Sequence, residues 1–174
     1  HVVFKHCGLY GPGLERLQDR PIMGLYLGHS AVDAEVLERY FLPFHDLEVL
    51  DFAGSPIGDD AMVLFPRFEN LRSLHLGWNQ NWKGPGLEYL KQIPTLRQLF
   101  LDASSINDES LKYLSGANQI QELFLRETVV SDASIDTLRT MKGLKSVNLE
   151  KTQFTAAGVE RLRNILPQLG VTFD

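Results

Sequence analysis

The chain has 174 residues, of which 44% are hydrophobic and 22% are charged, and these proportions are typical of one globular domain. Its formal net charge of −5 argues against a nucleic-acid-binding protein, because a phosphate backbone is bound by clustered Lys and Arg. No apolar run approaches the roughly 18 residues that would predict a membrane span. The single cysteine, Cys7, excludes internal disulfides and fits a reducing compartment, but an exported bacterial protein can also lack disulfides, so the localisation stays open.

A short pattern, Leu-x-x-Leu-x-Leu, recurs along the whole chain. Its clearest copies are LEVLDF (47–52), LRSLHL (71–76), LRQLFL (96–101), IQELFL (120–125) and LKSVNL (144–149). The last apolar residue of each copy, here named the anchor, follows the previous anchor after 23 to 25 residues. The anchors are Phe4, Leu27, Phe52, Leu76, Leu101, Leu125, Leu149 and Phe173. This period predicts eight short strands and about seven repeats in a single domain, 1–174.

The segments between the strands carry polar and helix-start signals. A small polar residue or cysteine stands three positions after each anchor, where its side chain can bond backbone groups left unpaired by the turn. These residues are Cys7, Ser30, Ser55, Asn79, Ser104, Thr128 and Thr152. Helix N-caps are predicted at Gly58, Asn107, Ser131 and Thr155, with Asp59, Asp108 and Asp132 in the first helical turns. Each repeat therefore reads as a strand, a turn and a short helix, and repeats must stack to bury their apolar sides.

The LxxLxLxx(N/C/S/T) segments followed by (I/V)-x-D-x-x-L resemble leucine-rich repeats, and their length is similar to that of the cysteine-containing and bacterial GALA-like classes. The resemblance implies an α/β right-handed solenoid, a horseshoe with parallel strands on the concave face and short helices on the convex face. It also implies a recognition surface for protein, peptide or glycan partners, with no shared catalytic residues. The chain begins and ends on predicted strands, so we expect it to belong to a longer protein.

The residues between the leucines of each strand should point outward onto the concave face. The position just before the anchor gives one row of residues across the sheet: Val3, Tyr26, Asp51, His75, Phe100, Phe124, Asn148 and Thr172. A second row, two positions earlier, is Gly24, Val49, Ser73, Gln98, Glu122, Ser146 and Gly170. Trp78, two residues past an anchor, should flank the aromatic part of the first row. Clustered outward aromatics predict an interaction site, although Phe100 and Phe124 could instead only stabilise the sheet by stacking.

Three other features of the sequence have chemical interpretations. Asp51, His75 and Ser73 form a hydrolase-like set, but residues two apart on a flat strand are separated by about 6.5 Å, which argues against a Ser–His hydrogen bond. An Asp51–His75 hydrogen bond on a binding surface is the simpler expectation. His6 and His29 each stand two residues past an anchor, in neighbouring repeats, and Cys7 is nearby. Only two nitrogens would converge on a metal there, which argues against a metal site. Trp82 aligns with apolar positions of other repeats and is predicted to be core.

The sequence thus predicts a non-enzymatic recognition module that needs no cofactor and binds a protein or peptide on its concave sheet. Its predicted contact residues are Tyr26, Asp51, His75, Trp78, Phe100 and Phe124. The alternatives are a structural spacer that docks neighbouring domains through its open ends and, more distantly, a hydrolase. Neither a nucleic-acid partner nor membrane insertion is expected.

Overall fold

The computed structural model describes residues 20–81 and 84–174, together with the backbone of Val2 and Val3. Within this part of the chain, eight parallel strands form one sheet in which the strand order follows the chain order. The strands are β1 (Val2–Val3), β2 (Gly24–Tyr26), β3 (Val49–Asp51), β4 (Ser73–His75), β5 (Gln98–Phe100), β6 (Glu122–Phe124), β7 (Ser146–Asn148) and β8 (Gly170–Thr172). The predicted period therefore places every strand correctly.

The register of the sheet confirms both predicted rows of residues. Tyr26 is paired with Asp51, Asp51 with His75, and His75 with Phe100. The row continues through Phe124 to Asn148 and Thr172, and the second row runs in the same way from Gly24 to Gly170. We name the sheet surface that carries these two rows the outer face. Since the central residue of each strand from Leu25 to Val147 is buried, the opposite face of the sheet covers the core.

Short helical segments connect the described strands, and several are 3-10 rather than α-helical. The helical segments are α1 (Ala34–Val36) with a π-helical continuation (Leu37–Phe41), 3-10 helices at Met62–Arg67 and Pro85–Gln92, α2 (Asp108–Leu111) with a 3-10 turn (Lys112–Leu114), a 3-10 turn (Asp132–Ser134) leading into α3 (Ile135–Leu138), and α4 (Ala156–Ile165). Tight helices suit connections that return to the sheet within one repeat, because 3-10 geometry is favoured in short pieces. None of the described helices is long and apolar enough to cross a membrane.

One apolar core runs between the sheet and the helices. The six anchors from Leu27 to Leu149 are completely buried. In the N-terminal half, Phe52 meets Phe41 and Phe65 edge to face, at ring-centroid distances of 5.9 and 6.4 Å. Such contacts add to the free energy gained from burying the rings themselves. The predicted core residue Trp82 lies outside the described residues.

The small polar residues three positions after the anchors bond the turn, as predicted. The Thr128 and Thr152 hydroxyls donate to the carbonyls of Leu125 and Leu149, at 2.6 and 2.7 Å. Asn79 bridges two repeats, because its Nδ2 donates to the carbonyl oxygen of Ser55 at 2.8 Å. Cys7, the first member of this series, lies outside the described residues.

Of the four predicted N-caps, three are confirmed and one is wrong. Asn107 accepts a hydrogen bond from the Ser110 N–H, Ser131 from Ala133 and Thr155 from Gly158. Gly58 does not cap a helix, because the chain there makes a turn from Gly58 to Ala61 and the 3-10 helix begins only at Met62. Glycine has no side-chain acceptor that could hold the helix start closer to it.

The aspartates that follow the predicted caps connect one repeat to the next. Asp59 Oδ1 accepts from the N–H of Gly86 at 2.8 Å. Asp108 accepts from the N–H and the hydroxyl of Ser131 at 2.9 and 2.7 Å. Asp132 bonds the N–H and the hydroxyl of Thr155 at the same two distances. These carboxylates therefore accept hydrogen bonds from residues at the start of the following helical segment. The sequence analysis, which placed each aspartate only in its own helix, did not predict this role.

Candidate functional site on the outer face

The outer face carries a stack of three aromatic rings. The rings of His75 and Phe100 are 3.8 Å apart between centroids and inclined by 11°. Phe100 and Phe124 are 4.1 Å apart and inclined by 5°. These residues occupy the same position on successive strands, whose spacing of about 4.8 Å brings the rings nearly into face-to-face contact. Because each ring covers its neighbour, all three side chains are half-buried on the sheet surface.

His75 is held by a hydrogen bond that the sequence argument excluded. Its Nε2 lies 3.2 Å from Ser73 Oγ. The expectation based on the distance between residues two apart on a strand was wrong, because it measured the backbone rise and neglected the reach of the two side chains. Burial lowers the pKa of His75, against an opposing effect of the Asp51 charge. At neutral pH the ring is therefore uncharged, and it can act as a flat, weakly polar end to the stack.

Asp51 does not complete a catalytic triad. Its Oδ1 accepts from the N–H of Ala53 at 2.9 Å, and the described hydrogen-bond partner of the His75 ring is Ser73. Ser73 is only 6% exposed, so little of it is open to solvent. A nucleophile must reach its substrate, and this one lies beneath the surface. The arrangement fits a structural hydrogen bond between two side chains of one strand, in which the serine is not exposed as a nucleophile.

Beside the stack lies an open depression of about 230 Å³. Three parallel rows of residues line it: the strand ends Phe100, Phe124 and Asn148, the next outward positions Asp102, Arg126 and Glu150, and the edge residues Trp78, Ala103 and Glu127. Trp78 is 57% exposed, and it stands at the border of the depression. The depression is thus lined by both aromatic and charged side chains.

Asp102 is a half-buried charged residue in the lining of the depression. Its Oδ1 accepts from the N–H of Arg126 at 2.9 Å. Burial raises the pKa of Asp102, and this effect outweighs the opposing hydrogen bond and the charge of Arg126. The surrounding charged groups are paired: the Arg126 guanidinium lies 3.0 Å from Glu127 and 3.7 Å from Glu150, and Lys151 lies 3.1 Å from Glu127.

The predicted contact residues are brought together only in part. His75, Phe100 and Phe124 touch one another, and Trp78 lines the same depression as the two phenylalanines. Tyr26 and Asp51 lie in the same row toward the N-terminus and outside the lining of the depression. The centre of the candidate site is therefore displaced toward β5, β6 and β7.

The sequence matches no protein-family model and no curated protein. Among solved structures, an LRR protein from Leptospira interrogans superposes with a TM-score of 0.65 at 19% identity, over 95% of this chain and 40% of that one. An internalin from Listeria monocytogenes superposes with a TM-score of 0.53 at 16% identity, over 85% of this chain and 53% of that one.

The chain has the leucine-rich-repeat fold. It spans about half or less of the length of these two neighbours. Both come from bacteria, which is consistent with the bacterial repeat class that the sequence resembles. The right-handed turn of the solenoid and the assignment to the GALA-like class stay predictions.

Within the leucine-rich repeats, the residue two positions past the anchor has a left-handed backbone conformation. The chain has a positive φ there in six successive repeats, and the residues are His29, Gly54, Trp78, Ala103, Glu127 and Lys151. This left-handed conformation favours glycine, yet only one of the six is glycine. The backbone requirement therefore does not explain the large aromatic side chain of Trp78.

Sequence reasoning did not single out Asp102. The residue stands one position past an anchor, where the first repeat carries Lys5 and the three repeats directly before it carry Gly28, Ala53 and Gly77. This change from small to charged residues along one row was a usable signal, because a charged residue beside an aromatic row marks the edge of a site. The His6–His29 pair, which the sequence argues against as a metal site, is not fully described, since His6 and Cys7 lie outside the described residues. Over 20–81 and 84–174, no three His, Cys, Asp or Glu residues are grouped as metal ligands.

Proposed function

We propose that this leucine-rich-repeat chain is a non-enzymatic recognition module that binds a peptide segment of a protein partner on the outer face of its sheet, the face expected to be concave. The observation that carries the proposal is the His75–Phe100–Phe124 stack with Trp78 beside it. Aromatic side chains dominate binding energy at interfaces because they bury large areas at a low cost in conformational entropy.

The rigidity of the stack supports this function. Each ring is fixed by its neighbour, and His75 is fixed additionally by Ser73. A partner that lies across the strands would meet side chains that are already ordered, which lowers the entropy cost of association. The tight pairing of Phe100 with Phe124 also stabilises the sheet, but sheet stability does not require the exposed Trp78.

A peptide-display selection tests the proposal. Random twelve-residue peptides are selected on the wild-type chain, and the affinities of the enriched peptides are measured on a Trp78→Ala/Phe124→Ala variant. We expect affinity to fall by at least about tenfold, the effect typical of losing interface anchors. A Tyr89→Ala/Tyr113→Ala variant is the control, because it also removes two partly exposed aromatics, 36% and 38% exposed, but on the helical segments.

Equal binding to the wild type and to the Trp78→Ala/Phe124→Ala variant would contradict the proposal. It would move the structural spacer ahead, because a spacer uses its end repeats and not the outer face. Thermal unfolding of all variants shows whether a loss of binding reflects a loss of fold.

A further inference from the structure

We propose that Asp102 anchors a basic side chain, arginine or lysine, of the bound peptide, and that this side chain lies in the depression between Trp78, Phe100 and the Asp102 carboxylate. This inference rests on the proposed function and adds the chemistry of the partner. The preferred ligand is thus an extended peptide with a cationic residue at one fixed position.

The pairing of charges around the depression is the first argument. Glu127 and Glu150 face Arg126, and Glu127 also faces Lys151, so these four groups balance one another. In the described part of the chain, Asp102 is the one carboxylate of the depression that makes no ion pair. The charge of Arg126 acts on Asp102 without forming an ion pair, so the half-buried carboxylate is only partly compensated. A cation supplied from outside would lower the remaining cost.

The neighbours of Asp102 favour a cation for a second reason. Trp78 lines the same depression with an exposed indole, and aromatic faces attract ammonium and guanidinium groups. Both faces of Phe100 are covered by His75 and Phe124, so Phe100 offers an apolar edge to the ligand. The aliphatic stem of an Arg or Lys side chain would also cover the apolar wall. An exposed indole beside a carboxylate therefore offers both contacts that a long cationic side chain can make.

An anionic group suits the depression less well. The cation in the lining is Arg126, whose guanidinium already faces two carboxylates, and nearby Lys151 is paired with Glu127. An anionic group would also approach Asp102, Glu127 and Glu150, which repel it. The formal net charge of −5 also favours a cationic ligand over an anionic one, because it attracts basic segments over a longer range.

Asp102→Asn isolates the charge with little effect on the fold. The asparagine oxygen can still accept from the Arg126 N–H, while the charge disappears. Because burial already disfavours the ionised form of Asp102 and raises its pKa, we expect the variant to be at least as stable as the wild type. Asp136→Asn is the matched control, since Asp136 lies on the helical side, 71% exposed and paired with Arg139.

The test is a double-mutant cycle on a peptide from the selection above. One partner change is Asp102→Asn, and the other replaces the basic residue of the peptide with its neutral analogue, citrulline for arginine or norleucine for lysine. Each single change should weaken binding about tenfold, as expected for a charge-assisted contact. The two changes together should weaken binding little more than either one alone. Asp136→Asn should bind as the wild type does.

The outcomes separate this inference from the proposed function. If the enriched peptides hold no fixed basic residue, or if Asp102→Asn binds as tightly as the wild type while Trp78→Ala/Phe124→Ala does not bind, the cation site is wrong and the recognition face stands. If Trp78→Ala/Phe124→Ala also binds normally, both are wrong. A shared loss for Asp102→Asn and for the neutral peptide supports the inference.

Discussion

The imidazole of His75 lies face to face with the ring of Phe100, 3.8 Å away and inclined by only 11°. Phe100 in turn covers Phe124, so it is the middle ring of a stack that spans three strands. A ring in this position supports both neighbours. The stack is thus a structural unit of the sheet as well as the proposed contact surface.

Phe100→Ala should disturb the whole stack. We expect a loss of about 1–2 kcal/mol in the free energy of unfolding, less than for a fully buried phenylalanine because Phe100 is half-exposed. The pKa of His75 should rise toward its ordinary value, because removing the ring opens the imidazole to water. Urea unfolding and an NMR titration of His75 measure the two effects. Tyr113→Ala, on the helical side, should change the His75 titration little, and an unchanged pKa in Phe100→Ala would contradict the role of the stack.

Acidification should weaken the fold through His75. Burial lowers the pKa of this residue in the folded state, so between that value and about 6.5 the unfolded chain binds more protons than the folded one. The free energy of unfolding should therefore fall as the pH decreases from 6.5 through the folded pKa. Urea unfolding at several pH values between 7 and 5 measures this slope. His75→Phe keeps a ring in the stack and removes the titration, so its slope should be smaller; an equal slope would mean that other groups cause the dependence.

Asp108→Ala should weaken the junction between two repeats. The carboxylate bonds both the N–H and the hydroxyl of Ser131 and receives the hydroxyl of Ser134. Although burial opposes it, these bonds lower the pKa of Asp108, so its contribution to stability should be lost as the pH falls below about 3.8 through the folded pKa. We expect the substitution to cost about 1–2 kcal/mol, as for the loss of a helix cap.

The control for this junction is Asp136→Ala. Asp136 is a surface aspartate whose ion pair with Arg139 is open to solvent. Its removal should cost less than about 0.5 kcal/mol. Equal losses for the two variants in urea unfolding would show that Asp108 does not act as a link between repeats.

Trp78→Gly should separate stability from binding. The residue has a φ of 52°, which glycine adopts without strain, and its side chain is 57% exposed. Relief of backbone strain should offset the lost contacts, so the free energy of unfolding should change by less than about 1 kcal/mol. The affinity for a selected peptide should fall at least about tenfold. A stable variant with unchanged affinity would remove Trp78 from the site.

The repeat period was sufficient to predict the strands and their register. Anchors must be buried at every turn of the solenoid, and this requirement alone aligned Tyr26, Asp51, His75, Phe100 and Phe124 correctly. Contacts between repeats were less predictable, because they depend on side-chain directions that a period does not specify.

The details of the site illustrate that limit. The Ser73–His75 hydrogen bond depends on rotamers, and the raised pKa of Asp102 depends on how much of the carboxyl group its neighbours cover. The aspartates that cap the next repeat were assigned to their own helices for the same reason. The repeat period of the anchors determines the fold, while the chemistry of the outer face depends on how neighbouring side chains pack.

The most direct test of the recognition face is to map a bound peptide on the protein by NMR. Backbone amide shifts of the labelled chain are followed while a selected peptide is added. We predict that the shifted residues lie at the ends of β4 to β7 and in the loop starts that follow them, centred on Phe100, Asp102, Phe124 and Arg126. Shifts confined to the helical segments, or to the first or last repeat, would contradict the account.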